Sequence, residues 1–521
     1  PTNAGLPRAK AAKRNKTELF PRQRGKKRKG DERMKLKEII KTVAVCILTV
    51  SLTCLCVVYM LLYQQSDNAA FTRDDYLKIK RENTQYSYTE HYRTSFVIPE
   101  EIVLACEGDG KYLLMAENGT SSAADEISGK YFQGLFGEAS SSKTLSAEDG
   151  RALFARLCGT ETYIYMKYHT ELPRSVIYKL SDISRMSERI SREGIYELFI
   201  FAVAPYLPVT PTELGLDTYS SYLCAATRDL SGVYRVFYYT YKPEIGEEFA
   251  FNKKIFSAYS DYEKITDFNF LSTTDLYHGM GVSGERNIST VLVFRKSLPL
   301  SRMKRYSGYD NLLAEENTER LLRAFSMNAG KISSHTDEKG TYTYYEEGKT
   351  LSVSADGECL FTVTSREYAP SLAFSGTDAE PLDYIGATAS FLSSLPLFSD
   401  NILMPDVSLT LSEVTLEKGY ARISYGFLYN NVPVIIDGRN IAASFEIYDG
   451  AVTECRLEFI TLSGWGEALA LSENRLDIMS LLISSEGDFD ISAAYAFDDE
   501  NFAAGIWFSR FAAEKREEES K

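Results

Sequence analysis

Thr42–Tyr63 reads TVAVCILTVSLTCLCVVYMLLY, 22 residues without a charge. At a rise of about 1.5 Å per residue, such a helix matches the roughly 30 Å hydrocarbon thickness of a bilayer. A cleaved signal peptide would carry an apolar core of only about 7–15 residues and a small-residue exit. This run is longer and leaves through Gln64-Gln65-Ser66-Asp67-Asn68. The expectation is a retained signal anchor. Pro1–Lys41 holds 15 Lys/Arg against 4 Asp/Glu, leaving 43 basic against 68 acidic residues in the remainder. Cations before the span and none comparable after it place residues 1–41 in the cytoplasm and everything after residue 63 outside, by the positive-inside rule. The expected location is the cell membrane, crossed once.

The net charge of -14 is therefore a sum of unlike parts. The basic tail contains Lys26, Lys27, Arg28 and Lys29 but no interleaved aromatics, so it suits anionic headgroups and orientation better than single-stranded nucleic acid. No nucleic-acid partner is expected. Met34 opens a compact MKLKEIIK and is an expected alternative start.

Within the span, Thr42, Cys46, Thr49, Thr53, Cys56 and Met60 recur at spacings of three and four, which gathers small, weakly polar side chains on one helical stripe. Such stripes let helices approach closely in lipid, so these six residues are the candidate partner-binding surface. The competing reading is that Thr and Cys bond to their own helix backbone and face lipid harmlessly.

Beyond the anchor, five cysteines (Cys106, Cys158, Cys224, Cys359 and Cys455) are scattered without a C-x-x-C, and an odd number cannot all pair. Cys359 alternates with Phe361 and Val363, and Cys455 with Leu457 and Phe459, so both read as small buried hydrophobes. With 44% hydrophobic and 12% aromatic residues the chain can bury large cores. Six segments are expected: a cytoplasmic tail (1–41), the anchor (42–63), a stalk with an N-terminal domain (64–190), a middle domain (191–305), a C-terminal domain (306–513) and a charged tail (514–521). Strand-like runs at Ile102–Leu104, Tyr112–Met115, Thr162–Tyr168, Leu198–Ala204 and Tyr234–Tyr241 alternate with helical stretches near 147–157 and 175–189. Later, helices near 318–327, 382–395 and 467–483 each precede strands, with hairpin turns at Asp356-Gly357 and Asp449-Gly450, whose dipeptides favour the positive φ of a type I′ turn. Ile423, Tyr425 and Phe427 should face one side of a strand, and Arg422, Ser424 and Gly426 the other. The fold class is α+β, with antiparallel sheets and packed helices.

Catalytic strings are weak. The four histidines, His91, His169, His278 and His335, have no i, i+4 pair for a metal. Around Ser283 the glycines sit at -2 and +1, where a nucleophile elbow needs -2 and +2, so His278–Gly284 reads as a glycine-rich loop. Ser140-x-x-Lys143 lacks the companion motifs of serine-lysine acylases. Asp488, Asp490 and Ser492 lack the sixth-position glycine of a calcium loop, having Ala493 there. The expectation is a non-enzyme without cofactor or metal, acting through surfaces.

Several strings carry a resemblance. FVIPEEIVLACEGDGKYLLMAENG (Phe96–Gly119) and TYIYMKYHTELPRSVIYKL (Thr162–Leu180) are followed by YEEGKTLSVSADGECLFTVT (Tyr345–Thr364), ISYGFLYNNVPVII (Ile423–Ile436) and AYAFDDENFAAGIWFSRF (Ala494–Phe511). With the N-terminal anchor, the arrangement resembles the YycH family of membrane-anchored regulators of low-GC Gram-positive bacteria, whose C-terminal domain is related to the YycI family. The resemblance covers about Met34–Phe511 and rests on fold patterns. It implies a partner, a WalK-type sensor histidine kinase together with a YycI-like protein, and a role in controlling cell-wall metabolism. It carries no catalytic residues. The other reading is an extracytoplasmic envelope scaffold or ligand-binding protein that acts without a kinase.

Overall fold

The computed structural model describes residues 96–114, 123–137, 140–160, 162–180, 193–203, 209–241, 262–266, 270–273, 289–295, 297–328, 330–372, 381–395, 407–471, 491–497 and 502–509. All belong to one compact unit, Ile79–Lys521; the other unit, Pro1–Lys78, lies outside the described residues. So do the anchor Thr42–Tyr63 and its stripe Thr42, Cys46, Thr49, Thr53, Cys56 and Met60. Among the described residues no helix is long and apolar enough to cross a membrane.

The first sheet has eight strands: β1 (Pro99–Cys106), β2 (Gly110–Leu114), β3 (Ser141–Leu145), β4 (Tyr163–Pro173), β5 (Gly194–Val203), β6 (Ser221–Arg228), β7 (Tyr234–Tyr241) and β8 (Tyr262–Ile265). Their order is β3-β7-β6-β5-β4-β1-β2-β8, with every neighbouring pair antiparallel. Its central strands are buried on both faces because both faces are covered. Tyr163 and Tyr165 of β4 and Phe199 and Phe201 of β5 pack with Leu153, Phe154 and Leu157 of the helix Ala147–Cys158. That helix begins at Ser146, whose hydroxyl accepts from the Asp149 N–H as an N-cap. The alternate residues, Ile164 and Met166 of β4 and Leu198 and Ile200 of β5, join the larger core shared with the second sheet.

Two short ladders intervene, β9 (Phe270–Ser272) with β10 (Val291–Val293), and β11 (Ser297–Leu298) with the late strand β23 (Leu469–Ala470). The second sheet, of thirteen strands, uses β12 (Arg302–Ser307), β13 (Ser333–Thr336), β14 (Tyr342–Glu346), β15 (Lys349–Val353), β16 (Glu358–Val363), β17 (Val407–Glu417), β18 (Tyr420–Tyr429), β19 (Val432–Ile435), β20 (Ala443–Tyr448), β21 (Ala451–Glu458), β22 (Ile460–Trp465), β24 (Ile491–Phe497) and β25 (Phe502–Ser509). The order runs from β13 through β16, β21, β20 and β18 to β19, β24, β25, β12 and β22. All its pairings are antiparallel except β19 with β24. Ile423, Tyr425 and Phe427 point into the core, where the helix Pro381–Ser394 covers them: the Thr388 hydroxyl lies 2.8 Å from that of Tyr425. The other side of β18 is closed at Ser424, which is buried and donates to Glu413 Oε2, and partly open at Arg422.

The α+β class with antiparallel sheets is thus observed. The turn at Asp449-Gly450 has positive φ at both residues, and Gly357 has φ +93°. Helices occupy Glu315–Ala324 and Pro381–Ser394, near the positions expected. The expected helix beginning near 467 is replaced at its start by β23, because Gly466, at φ +98°, reverses the chain after β22; residues 472–490 lie outside the described residues. The divisions expected at 190/191 and 305/306 fall between hydrogen-bonded neighbours β4 and β5 and within β12, so sequence-adjacent segments share sheets.

Candidate functional site

The first sheet carries a transverse row of ionisable residues on the face covered by the helix Ala147–Cys158. The register pairs Glu101 of β1 with Lys167 of β4, Lys167 with Glu197 of β5, Glu197 with Arg228 of β6, and Arg228 with Tyr234 of β7. Charge alternates along the row, and the Arg228 guanidinium ends it 5.8 Å from the Tyr234 ring centroid. All five side chains are buried; Glu197 is 0% exposed. Opposite charges directly across a ladder attract, and burial strengthens that attraction while making each charge dependent on its neighbours.

Local irregularity builds one end of the row. The β1–β4 register shifts between Pro99 and Glu101, which makes Glu100 an extra, bulged residue. Both glutamates thereby reach one lysine: Lys167 Nζ lies 3.5 Å from Glu100 Oε2 and 3.9 Å from Glu101 Oε2. The bulge also frees the Glu100 carbonyl, which accepts from Arg295 Nη2 at 3.2 Å and from Asn431 Nδ2 at 3.1 Å. Asn431, in the β18–β19 turn at φ +59°, belongs to the second sheet, and its own carbonyl accepts from Arg295. This point fastens one sheet to the other. Burial pulls the Arg295 guanidinium below its ordinary value, while the Glu101 and Glu100 carboxylates oppose that shift.

Glu197 is the centre. Its carboxylate accepts from the Thr290 N–H at 3.0 and 2.9 Å, the Val291 N–H at 3.2 Å, the Tyr165 hydroxyl at 3.0 Å and Arg228 Nη1 at 3.4 Å. The backbone entering β10 is thus clamped to β5 by one side chain. Burial pushes the Glu197 carboxyl above the usual range, and Arg228 and the Thr290 N–H pull it back. Burial and then the Glu197 charge push the Tyr165 hydroxyl up. A carboxylate engaged by five donor contacts is poorly placed for proton transfer or nucleophilic attack; it fixes strands and a loop in one arrangement.

The residues singled out from sequence are not drawn into this row. His169 is buried in β4, and His335 is exposed on β13. Ser140 donates to the Gly137 carbonyl at 2.7 Å while Lys143 Nζ donates to the Leu214 carbonyl at 3.3 Å, so the pair makes no dyad. Ser492 is buried in β24; Asp488, Asp490, His91, His278 and Ser283 lie outside the described residues. Among the described residues, no three His, Cys, Asp or Glu side chains converge as metal ligands. Sequence reasoning passed over the row, although its centre, Glu197, is a solitary charge inside the apolar strand GIYELFIFAV.

No protein-family model matches this chain, and no curated protein matches it. Among solved structures, the solution structure of cyanobacterial PsbP (CyanoP) from Synechocystis sp. PCC 6803 is similar at 14% identity with a TM-score of 0.12, over 34% of this chain and 94% of that one. Similarity so slight leaves function to be argued from the residues.

Proposed function

We propose that the chain is a non-enzymatic, membrane-anchored regulator that associates with a two-component sensor histidine kinase controlling cell-wall metabolism, through its anchor and its folded extracytoplasmic unit. The observation that carries the reading is the uncharged run Thr42–Tyr63, with its stripe of Thr42, Cys46, Thr49, Thr53, Cys56 and Met60 behind a basic tail. In lipid, apolar burial gives no drive for helices to associate, and small polar-lined faces supply it. The buried row centred on Glu197 suits this role, because a unit that biases a kinase must present one shape and resist deformation. A YycI-like protein is the expected companion, from the resemblance.

The test is a detergent pull-down of the full-length, tagged protein from its native host, with co-purifying membrane proteins identified by mass spectrometry. Recovery of a sensor histidine kinase is expected, and T49L/T53L should weaken that recovery by about 1 kcal/mol, or roughly fivefold. A kinase that is present in the extract yet never recovered would remove the proposal; undiminished recovery with T49L/T53L would remove the stripe from it.

A further inference from the structure

β12 and β22 form the end of the second sheet, and their register exposes an unusual face. Arg302, Lys304 and Tyr306 alternate outward along β12, directly opposite Trp465, Ser463 and Thr461 of β22. The intervening Met303, Leu462 and Ile460 are buried, which fixes which side faces out. Tyr306 is 47% and Trp465 39% exposed, two of the four large hydrophobic side chains exposed among the described residues. Lys304 Nζ sits 4.9 Å from the Tyr306 ring centroid, and Arg302 is the cross-strand partner of Trp465. The six-residue strip thus holds two cations, two amphipathic aromatics, two hydroxyls and no carboxylate, over about 13 Å of strand. It does so in a chain whose residues after Lys41 number 68 acidic against 43 basic.

We propose that this strip docks on an anionic lipid bilayer, with Trp465 and Tyr306 at the headgroup level and Arg302 and Lys304 on lipid phosphates. Tryptophan and tyrosine partition to the membrane interface because their rings are apolar with a polar edge, and each Lys or Arg near an anionic surface adds attraction. The acidic surface elsewhere is repelled by such a bilayer, so charge selects this face. The inference rests on the membrane-anchored reading above, since tethering raises the effective concentration of a strip with only two cations.

The chain has two tryptophans, so W507F leaves Trp465 as the sole emitter. The full-length W507F protein is reconstituted in vesicles of phosphatidylcholine, or of phosphatidylcholine mixed with phosphatidylglycerol, each with bromine-labelled acyl chains. The expected result is quenching of Trp465 at least about twofold greater in the anionic vesicles, lost in R302E/K304E and reversed by salt in the otherwise unaltered protein. The salt titration reads the docking even where the charge-reversed protein fails to fold. Equal quenching in the two lipids, or none, overturns the proposal. Alkaline extraction of the same vesicles reads the anchor separately. Protein that washes off while Trp465 stays quenched in anionic vesicles would sink the anchor and keep the strip, and the converse would keep the anchor and sink the strip.

Discussion

Glu458 lies directly opposite Glu358 across β21 and β16, two carboxylates facing each other where β21 ends and the chain passes into β22 and a new partner strand, β12. Just beyond it, the Phe459 N–H donates to the Gly357 carbonyl at 2.8 Å, and the Phe459 carbonyl accepts from the Gly308 N–H at 2.7 Å. Burial first, and then the Glu358 charge, push the Glu458 carboxyl up to about 7, against the pull of Arg305 and Arg456; Asp437 pushes with Glu358. Arg456 Nε is engaged by Glu358 Oε1 at 3.2 Å and Arg305 Nη1 by Asp437 at 3.7 Å, so neither cation is reserved for Glu458.

This pair makes stability fall as pH rises near neutrality. A carboxyl raised from 4.5 to about 7 holds its proton longer in the folded state than in the unfolded chain. Its contribution is fully present below about pH 4.5 and is lost as pH rises through about 7, an effect of up to ~3 kcal/mol. Denaturant unfolding of the full chain in mild detergent, followed by tryptophan fluorescence between pH 5 and 8, should show this fall. E458Q should reduce it by the Glu458 share, leaving what Glu197, whose carboxyl burial also raises, contributes in the same direction; a fall that persists unchanged in E458Q would assign it to other groups.

The Glu197 clamp predicts an asymmetry between two substitutions. Glu197→Leu removes the charge that Arg228, Tyr165 and the Thr290 and Val291 N–H groups all address, and leaves a buried guanidinium uncompensated. The loss should be about 3–5 kcal/mol. Combining it with Arg228→Met should recover part of that loss, because the second change removes the stranded charge. Strict additivity of the two changes in unfolding free energy would show that the contact at 3.4 Å carries no coupling.

The alternation of Ile423, Tyr425 and Phe427, the Asp449-Gly450 turn and the helix Ala147–Cys158 were legible because each depends on residues close in sequence. The Glu197 row was not, because it is a product of register. Glu101, Lys167, Glu197 and Arg228 stand on four strands and become neighbours only after the sheet has formed. A lone charge in an apolar run signals that a partner exists and does not say which. The same holds for the strip of Trp465 and Arg302, separated by 163 positions yet directly paired, and for β23, where a two-residue ladder with β11 overrides the helical pattern after Glu467.

Cysteine chemistry follows from burial. Cys224, Cys359 and Cys455 are each 0% exposed, and desolvation raises all three thiols above their ordinary value. The thiolate is the reactive form, so alkylation of the native chain should be at least ~100-fold slower at these sites than in denaturant. Peptide-resolved mass spectrometry after a timed iodoacetamide pulse measures this. Rapid native labelling of Cys359 or Cys455 would mean that β16 and β21 open locally.

Two glycines with similar backbone angles should respond differently to the same substitution. Gly108, at φ +73°, has nothing within 4 Å of where a Cβ would stand, so Gly108→Ala should cost about 1 kcal/mol from conformation alone. Gly357, at φ +93°, turns β15 into β16 beside the strand junction; a Cβ there would collide with the Phe459 carbonyl oxygen and crowd Gly308 N at 3.3 Å. Those are backbone atoms held by hydrogen bonds, so they cannot move aside as a flexible side chain would. Gly357→Ala should therefore destabilise by more than ~2 kcal/mol, through strain added to the conformational penalty. The unfolding midpoints of the two variants, measured side by side, test whether the β12–β16–β21 junction is as closely packed as its geometry requires; equal losses would mean that it yields.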